Sequence, residues 1–106
     1  MEPKTRKDQL LKMLELEPDD VFLNYALAME YLAIDSFEIA AQMLEKTLSL
    51  KQDYLPCYYQ LGQVNEKLNN EKLAIHYYES GIIIAEKQGN KKALGELKEA
   101  LWLLED

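Results

Sequence analysis

Cysteine, histidine, glycine and proline are all scarce in this chain. Of 106 residues, one is Cys, one is His, four are Gly and three are Pro. The single cysteine, Cys57, excludes a disulfide within one copy and any cysteine-rich zinc site. The glycines, Gly62, Gly81, Gly89 and Gly95, are isolated from one another, so there is no glycine-rich loop of the kind that cradles phosphate. Positive charge is also short: 12 Lys and Arg against 19 Asp and Glu, a formal charge of −7. The nearest approach to a basic cluster, Lys4, Arg6 and Lys7, is flanked by Glu2 and Asp8. Phosphate backbones and anionic membrane surfaces demand cationic clusters, so neither is an expected partner. No apolar run approaches the roughly 18 residues that a membrane helix needs. The opening MEPKTRKDQ lacks the apolar segment of a secretory leader, which gives a cytoplasmic location as the expectation.

What is present is apolar side chain, 48% of the residues, and a repeat. At this length one domain, 1–106, is expected. When the chain is slid against itself by about 34 residues, Leu10 meets Leu44, Leu14 meets Leu48, Leu16 meets Leu50, Asp19 meets Asp53, Tyr25 meets Tyr59, Leu27 meets Leu61, Ala40 meets Ala74 and Glu45 meets Glu79. Near matches follow at Ala28/Gly62, Val21/Leu55, Ile39/Leu73 and Leu48/Ile82. The register holds through turns as well as periodic segments, which predicts one supersecondary unit used twice.

Helix signals fall at consistent places within the unit. Asp19, Asp20 and Asp53 precede apolar-periodic segments, where N-caps stand. Pro56 suits a first helical turn. Asp35-Ser36 and Asn69-Asn70 occupy mid-unit turns, where Asp and Asn tolerate left-handed backbone and Ser36 or Asn70 is placed to cap the next helix. The expected helices are 3–16, 21–33, 37–50, 55–68, 71–86 and 91–104. Ala93, Leu94, Leu97, Ala100, Leu101 and Leu104 form one apolar face of the last. There the strict register breaks, and a slip of about two residues in the Gln88-Gly89-Asn90 turn restores it.

This pattern resembles the tetratricopeptide repeat, in proteins of the small bacterial type. The family's sequence of large, Leu, small, Tyr, Ala, aromatic and small residues falls on Tyr58, Leu61, Gly62, Asn65, Ala74, Tyr78 and Gly81. In the preceding unit it falls on Asn24, Leu27, Ala28, Tyr31, Ala40, Leu44 and Thr47. Asn65 departs where Tyr is usual, and Asn24 where a large residue is. The resemblance implies an all-α fold: antiparallel helix–turn–helix repeats stacked as a short right-handed superhelix of about six helices. Residues 21–54 and 55–88 would be full repeats, 1–17 a half-unit capping helix and 89–106 a C-terminal cap.

Reactive chemistry finds little support. His76 has only Glu79 and Ser80 one helical turn on, and reads as a solvated helix residue. Cys57 lacks an orienting partner and an oxyanion loop, and reads as a small apolar filler. The scattered aspartates are explained as caps and turn residues. The expectation is no enzyme, no cofactor and no metal site; a metal or thiol enzyme around His76 and Cys57 is the remote alternative.

The tyrosines divide. Tyr31, Tyr58 and Tyr78 fall on core places of the repeat. Tyr25 and Tyr59 fall on first-helix places that, by the resemblance, line a concave groove for a peptide or helix. Carried over residue by residue, that groove consists of Phe22, Tyr25, Ala26, Met29 and Leu32, and of Pro56, Tyr59, Gln60, Gln63 and Glu66. Trp102 and Leu103 lie off the apolar face of the last helix and are possible edge contacts. Some members clamp a terminal carboxylate with Lys and Asn at these places. Here Tyr25 and Met29 stand there, which points to an apolar or mixed ligand. The resulting expectation is a non-catalytic scaffold that binds another protein or peptide, with a self-assembling structural module, a homo-oligomer, as the alternative.

Overall fold

The computed structural model describes residues 5–105. Its described residues form six α-helices and no strand: α1 (Arg6–Leu16), α2 (Val21–Ala33), α3 (Phe37–Leu50), α4 (Pro56–Lys67), α5 (Glu71–Gln88) and α6 (Lys91–Glu105). The expected first helix began at residue 3, and residues 3 and 4 lie outside the described stretch. None of the six is long and apolar enough to cross a membrane. The chain divides into two compact units, Met1–Gln52 and Asp53–Asp106.

In the first unit α2 packs against α1 and α3. Thr5 starts α1 by accepting a hydrogen bond from the Asp8 amide (3.1 Å), and Asp20 starts α2 by accepting one from the Leu23 amide (2.8 Å). Leu10, Leu23, Ala26 and Leu27 form one buried cluster, with Leu14, Tyr31 and Met43 against it. Outside that cluster Arg6 reaches Glu30 at 3.4 Å, and Lys7 Nζ sits 5.5 Å from the Tyr31 ring centre, so both ties join α1 to α2.

In the second unit α5 packs against α4 and α6. Leu55, Ala74, Tyr78, Ala85, Leu97 and Ala100 form its core, and Leu61 is fully buried. The small residues permit close approach. A Cβ at Gly62 would clash with the Tyr78 ring, and one at Gly81 would stand 2.7 Å from Tyr58 Cβ. Leu97 and Ala100 of α6 are buried as Leu61 and Val64 of α4 are. That match corresponds to a 34-residue period plus the expected slip of two. Its origin is the length of α5, which runs to Gln88, two residues past the expected end, before Gly89 turns left-handed at φ 66°.

The two residues that depart from the family pattern are both buried and both staple turns. Asn24 donates from Nδ2 to the carbonyls of Pro18 (3.1 Å) and Asp20 (2.8 Å). Asn65 donates to the Leu61 carbonyl (2.8 Å) and accepts from Asn70 Nδ2 (3.5 Å). A polar side chain persists in these cores because its hydrogen bonds are satisfied there.

The turns themselves repeat. Asp35 and Asn69 are left-handed, with φ 57° and 61°. The next amide bonds back to a helix carbonyl, Ser36 to Tyr31 (2.9 Å), Asn70 to Asn65 (2.8 Å) and, after Gly89, Asn90 to Ala85 (3.0 Å). This is the closure that a left-handed C′ residue permits. Three capping expectations are corrected. Ser36 and Asn70 make no side-chain cap, and their ψ values of 70° and 69° differ from the extended backbone of Thr5 and Asp20. Asp53 lies outside α4, which begins at Pro56 after a helical Leu55; its carbonyl instead accepts from Gln88 Nε2 (2.8 Å).

Candidate functional site

A cleft of about 390 Å³ opens in the second unit between α4 and α6. One wall is Tyr59, Gln63 and Glu66, which recur at helical spacing along the outer face of α4. The other wall is Glu96, Glu99, Ala100 and Leu103 of α6. Tyr78 lies beneath, fully buried, and its hydroxyl organises the α4 wall. It accepts from Gln63 Nε2 at 2.6 Å and donates to Glu66 Oε2. Its ring packs against Tyr59 with centroids 6.3 Å apart. Burial, and then the hydrogen bond to Glu66, push the Tyr78 hydroxyl pKa well above the ordinary tyrosine value. It therefore stays a neutral donor, and Glu66 and Gln63 are held by a fixed point rather than free to wander.

Three residues expected in the groove, Tyr59, Gln63 and Glu66, thus meet in one cleft, together with Leu103 from the expected edge pair. Gln60 is half-buried on α4 and is not part of the cleft lining; Pro56 is exposed at the start of α4. In the first unit Phe22 is exposed, and Tyr25, Met29 and Leu32 are half-buried on α2. Ala26 is corrected: it is 6% exposed and belongs to the core with Leu10. Trp102 is 66% exposed beside Leu103 at 61%.

Two features escaped the sequence reading. Glu96 and Glu99 were not placed in the groove, although carrying Gln60 and Gln63 forward by one period plus the slip of two lands on them. The second is an apolar cleft of about 240 Å³ in the first unit, whose lining includes Leu11, Leu14, Tyr31, Ile39 and Met43. Its signal was the exposed apolar place that recurs as Ile39 and Leu73.

His76 is exposed and meets the Tyr77 ring edge-on at 5.5 Å, whereas Cys57 is fully buried. Among the described residues no three His, Cys, Asp or Glu side chains group so as to hold a metal ion.

No family model and no curated protein matches the chain. Solved structures do. The tetratricopeptide repeat domain protein of Salinibacter ruber is 37% identical, over 81% of this chain and 97% of that one, with a TM-score of 0.77. The chain belongs to the tetratricopeptide repeat family. Two further structures share the fold at lower identity. A protein from Bordetella parapertussis is 24% identical over 96% of this chain and 89% of its own, with a TM-score of 0.85. The first TPR of Spaghetti (RPAP3), bound to the HSP90 peptide SRMEEVD, is 21% identical over 94% and 78%, with a TM-score of 0.76. The helix pairs carry small buried residues: Ala28 and Ala40 in α2 and α3, Gly62 and Ala74 in α4 and α5.

Proposed function

We propose that this tetratricopeptide repeat chain is a non-catalytic scaffold that binds another protein through first-helix faces. Repeats 21–54 and 55–88 would supply those faces, and 1–17 and 89–106 would cap them. The observation that carries the reading is the cleft where Tyr59, Gln63 and Glu66 meet Leu103. Aromatic and aliphatic side chains left half-exposed beside fixed polar groups are the composition of protein-binding surfaces. A related fold, that of Spaghetti (RPAP3), holds a peptide, SRMEEVD. That peptide is acidic towards its end, whereas the cleft here presents Glu66, Glu96 and Glu99, so a different ligand is expected.

A Tyr25→Ala, Tyr59→Ala double variant tests the reading. It should keep wild-type helicity and lose the proteins that the wild-type chain retains in affinity capture. An unchanged set of retained proteins removes these faces from consideration. A second reading, self-assembly, draws on the exposed Trp102 and Leu103. Light scattering decides it: a monomer at high micromolar concentration ends that reading.

A further inference from the structure

The cleft between α4 and α6 carries charge of one sign beside apolar side chains. Glu66 shares one wall with Tyr59 and Gln63, and Glu96 and Glu99 share the other with Ala100 and Leu103. Glu66 receives the Tyr78 hydroxyl and is oriented before any ligand arrives. Among the described residues, neither Glu96 nor Glu99 has an ion-pair or hydrogen-bond partner. Covering such a surface with acidic or wholly apolar groups would strip water from carboxylates without replacing it. A cationic group replaces that water with a charge-assisted hydrogen bond.

We infer that this cleft takes a segment of a partner protein in which lysine or arginine alternates with apolar side chains. The cations meet Glu66, Glu96 and Glu99, and the apolar groups meet Tyr59 and Leu103. The inference rests on the scaffold reading above and specifies the chemistry of its ligand. The net charge of −7 acts in the same direction, drawing a cationic segment inward at low ionic strength and opposing a second copy of this chain.

The test uses the full chain and two fluorescein-labelled peptides, one alternating lysine with leucine and one alternating glutamate with leucine. Anisotropy reads affinity, and amide chemical shifts read location. The lysine peptide should bind, shift the signals of Tyr59, Gln63 and Leu103, and weaken as salt is added. A Glu96→Gln, Glu99→Gln variant should lose about tenfold or more in affinity, in keeping with loss of buried charge pairs. A Glu79→Gln, Glu86→Gln variant, which removes equal charge from exposed places on α5, should stay within about twofold of wild type. Equal losses in the two variants would mean diffuse attraction to an acidic protein and would overturn the inference. Cleft shifts with the glutamate peptide at similar affinity would overturn the cationic ligand while leaving the scaffold reading standing. Cleft signals that neither peptide moves, in a chain of intact helicity, would overturn the inference and leave the scaffold reading to the capture experiment. Cleft signals that move with protein concentration alone would assign the surface to a second copy and overturn the inference.

Discussion

Gly62 and Tyr78 fit only because Gly62 has no Cβ, since one built there would clash with the tyrosine ring. One repeat earlier, the same places hold Ala28 and Leu44, both fully buried. A larger residue on the second helix is matched by a smaller one on the first. The complementary seam shows the reverse exchange, Asn24 with Thr47 against Tyr58 with Gly81, all four buried. Close-packed interiors force this exchange, because volume added on one side must be removed from the other.

Gly62→Ala should therefore destabilise the chain by about 1–3 kcal/mol, the ordinary cost of overpacking. Adding Tyr78→Leu recreates the pairing of Ala28 with Leu44. The double variant should be more stable than the sum of the single losses, by about 0.5–3 kcal/mol in a double-mutant cycle from denaturant melts. Additive losses would show that the two residues do not share this contact.

Leu61→Ala leaves a hole in the core, since Leu61 is fully buried beside Gly62. The expected loss is about 2–5 kcal/mol in denaturant melts. A loss below about 0.5 kcal/mol is what an exposed place would give, and would contradict the register.

Helix positions and pairing were legible in the sequence because the 34-residue period repeats both the apolar face and the turn. Asp35 and Asn69 mark left-handed turns at equivalent places, and the helices found start or stop within two residues of the expected ends for α2 to α6. Half of the cleft was legible through the family resemblance, which carries Tyr59, Gln63 and Glu66 onto groove places of the first helix. Glu96 and Glu99 were not, because the longer α5 shifts the register of α6. Nor could periodicity reveal that Tyr78, a core residue by its place, sends its hydroxyl to two groove residues. The capping roles of Ser36 and Asn70 failed because composition shows a residue's capacity to cap but not the ψ angle it is given.

Asn69 and Asp35 tolerate positive φ at a cost that glycine avoids. Asn69→Gly should leave stability unchanged or raise it slightly. Asn69→Val should lower it by about 1–2 kcal/mol, since a β-branched residue pays the full steric cost of left-handed backbone. Thermal melts of the two variants should bracket the wild type. A valine variant as stable as wild type would show that this turn is not left-handed in solution.

The hydroxyl of Tyr78 makes stability depend on alkaline pH. Its pKa lies well above the ordinary value of 10.0, first through burial and then through the hydrogen bond to Glu66; burial raises Tyr54 and Tyr58 as well. The folded chain thus keeps phenolic protons that the unfolded chain releases near pH 10. These groups contribute fully below that pH, and the contribution falls as pH rises above it, by about 1.4 kcal/mol per pH unit for each proton retained. Tyr78→Phe removes one such proton and the hydrogen bond to Glu66. At neutral pH the variant should be less stable by about 1.5–3 kcal/mol, as for hydrogen bonds to charged groups. Above pH 10 its stability should fall less steeply than that of the wild type. Denaturant melts from pH 7 to 11 measure both effects, and parallel alkaline limbs would show that Tyr78 holds its proton no more tightly when folded.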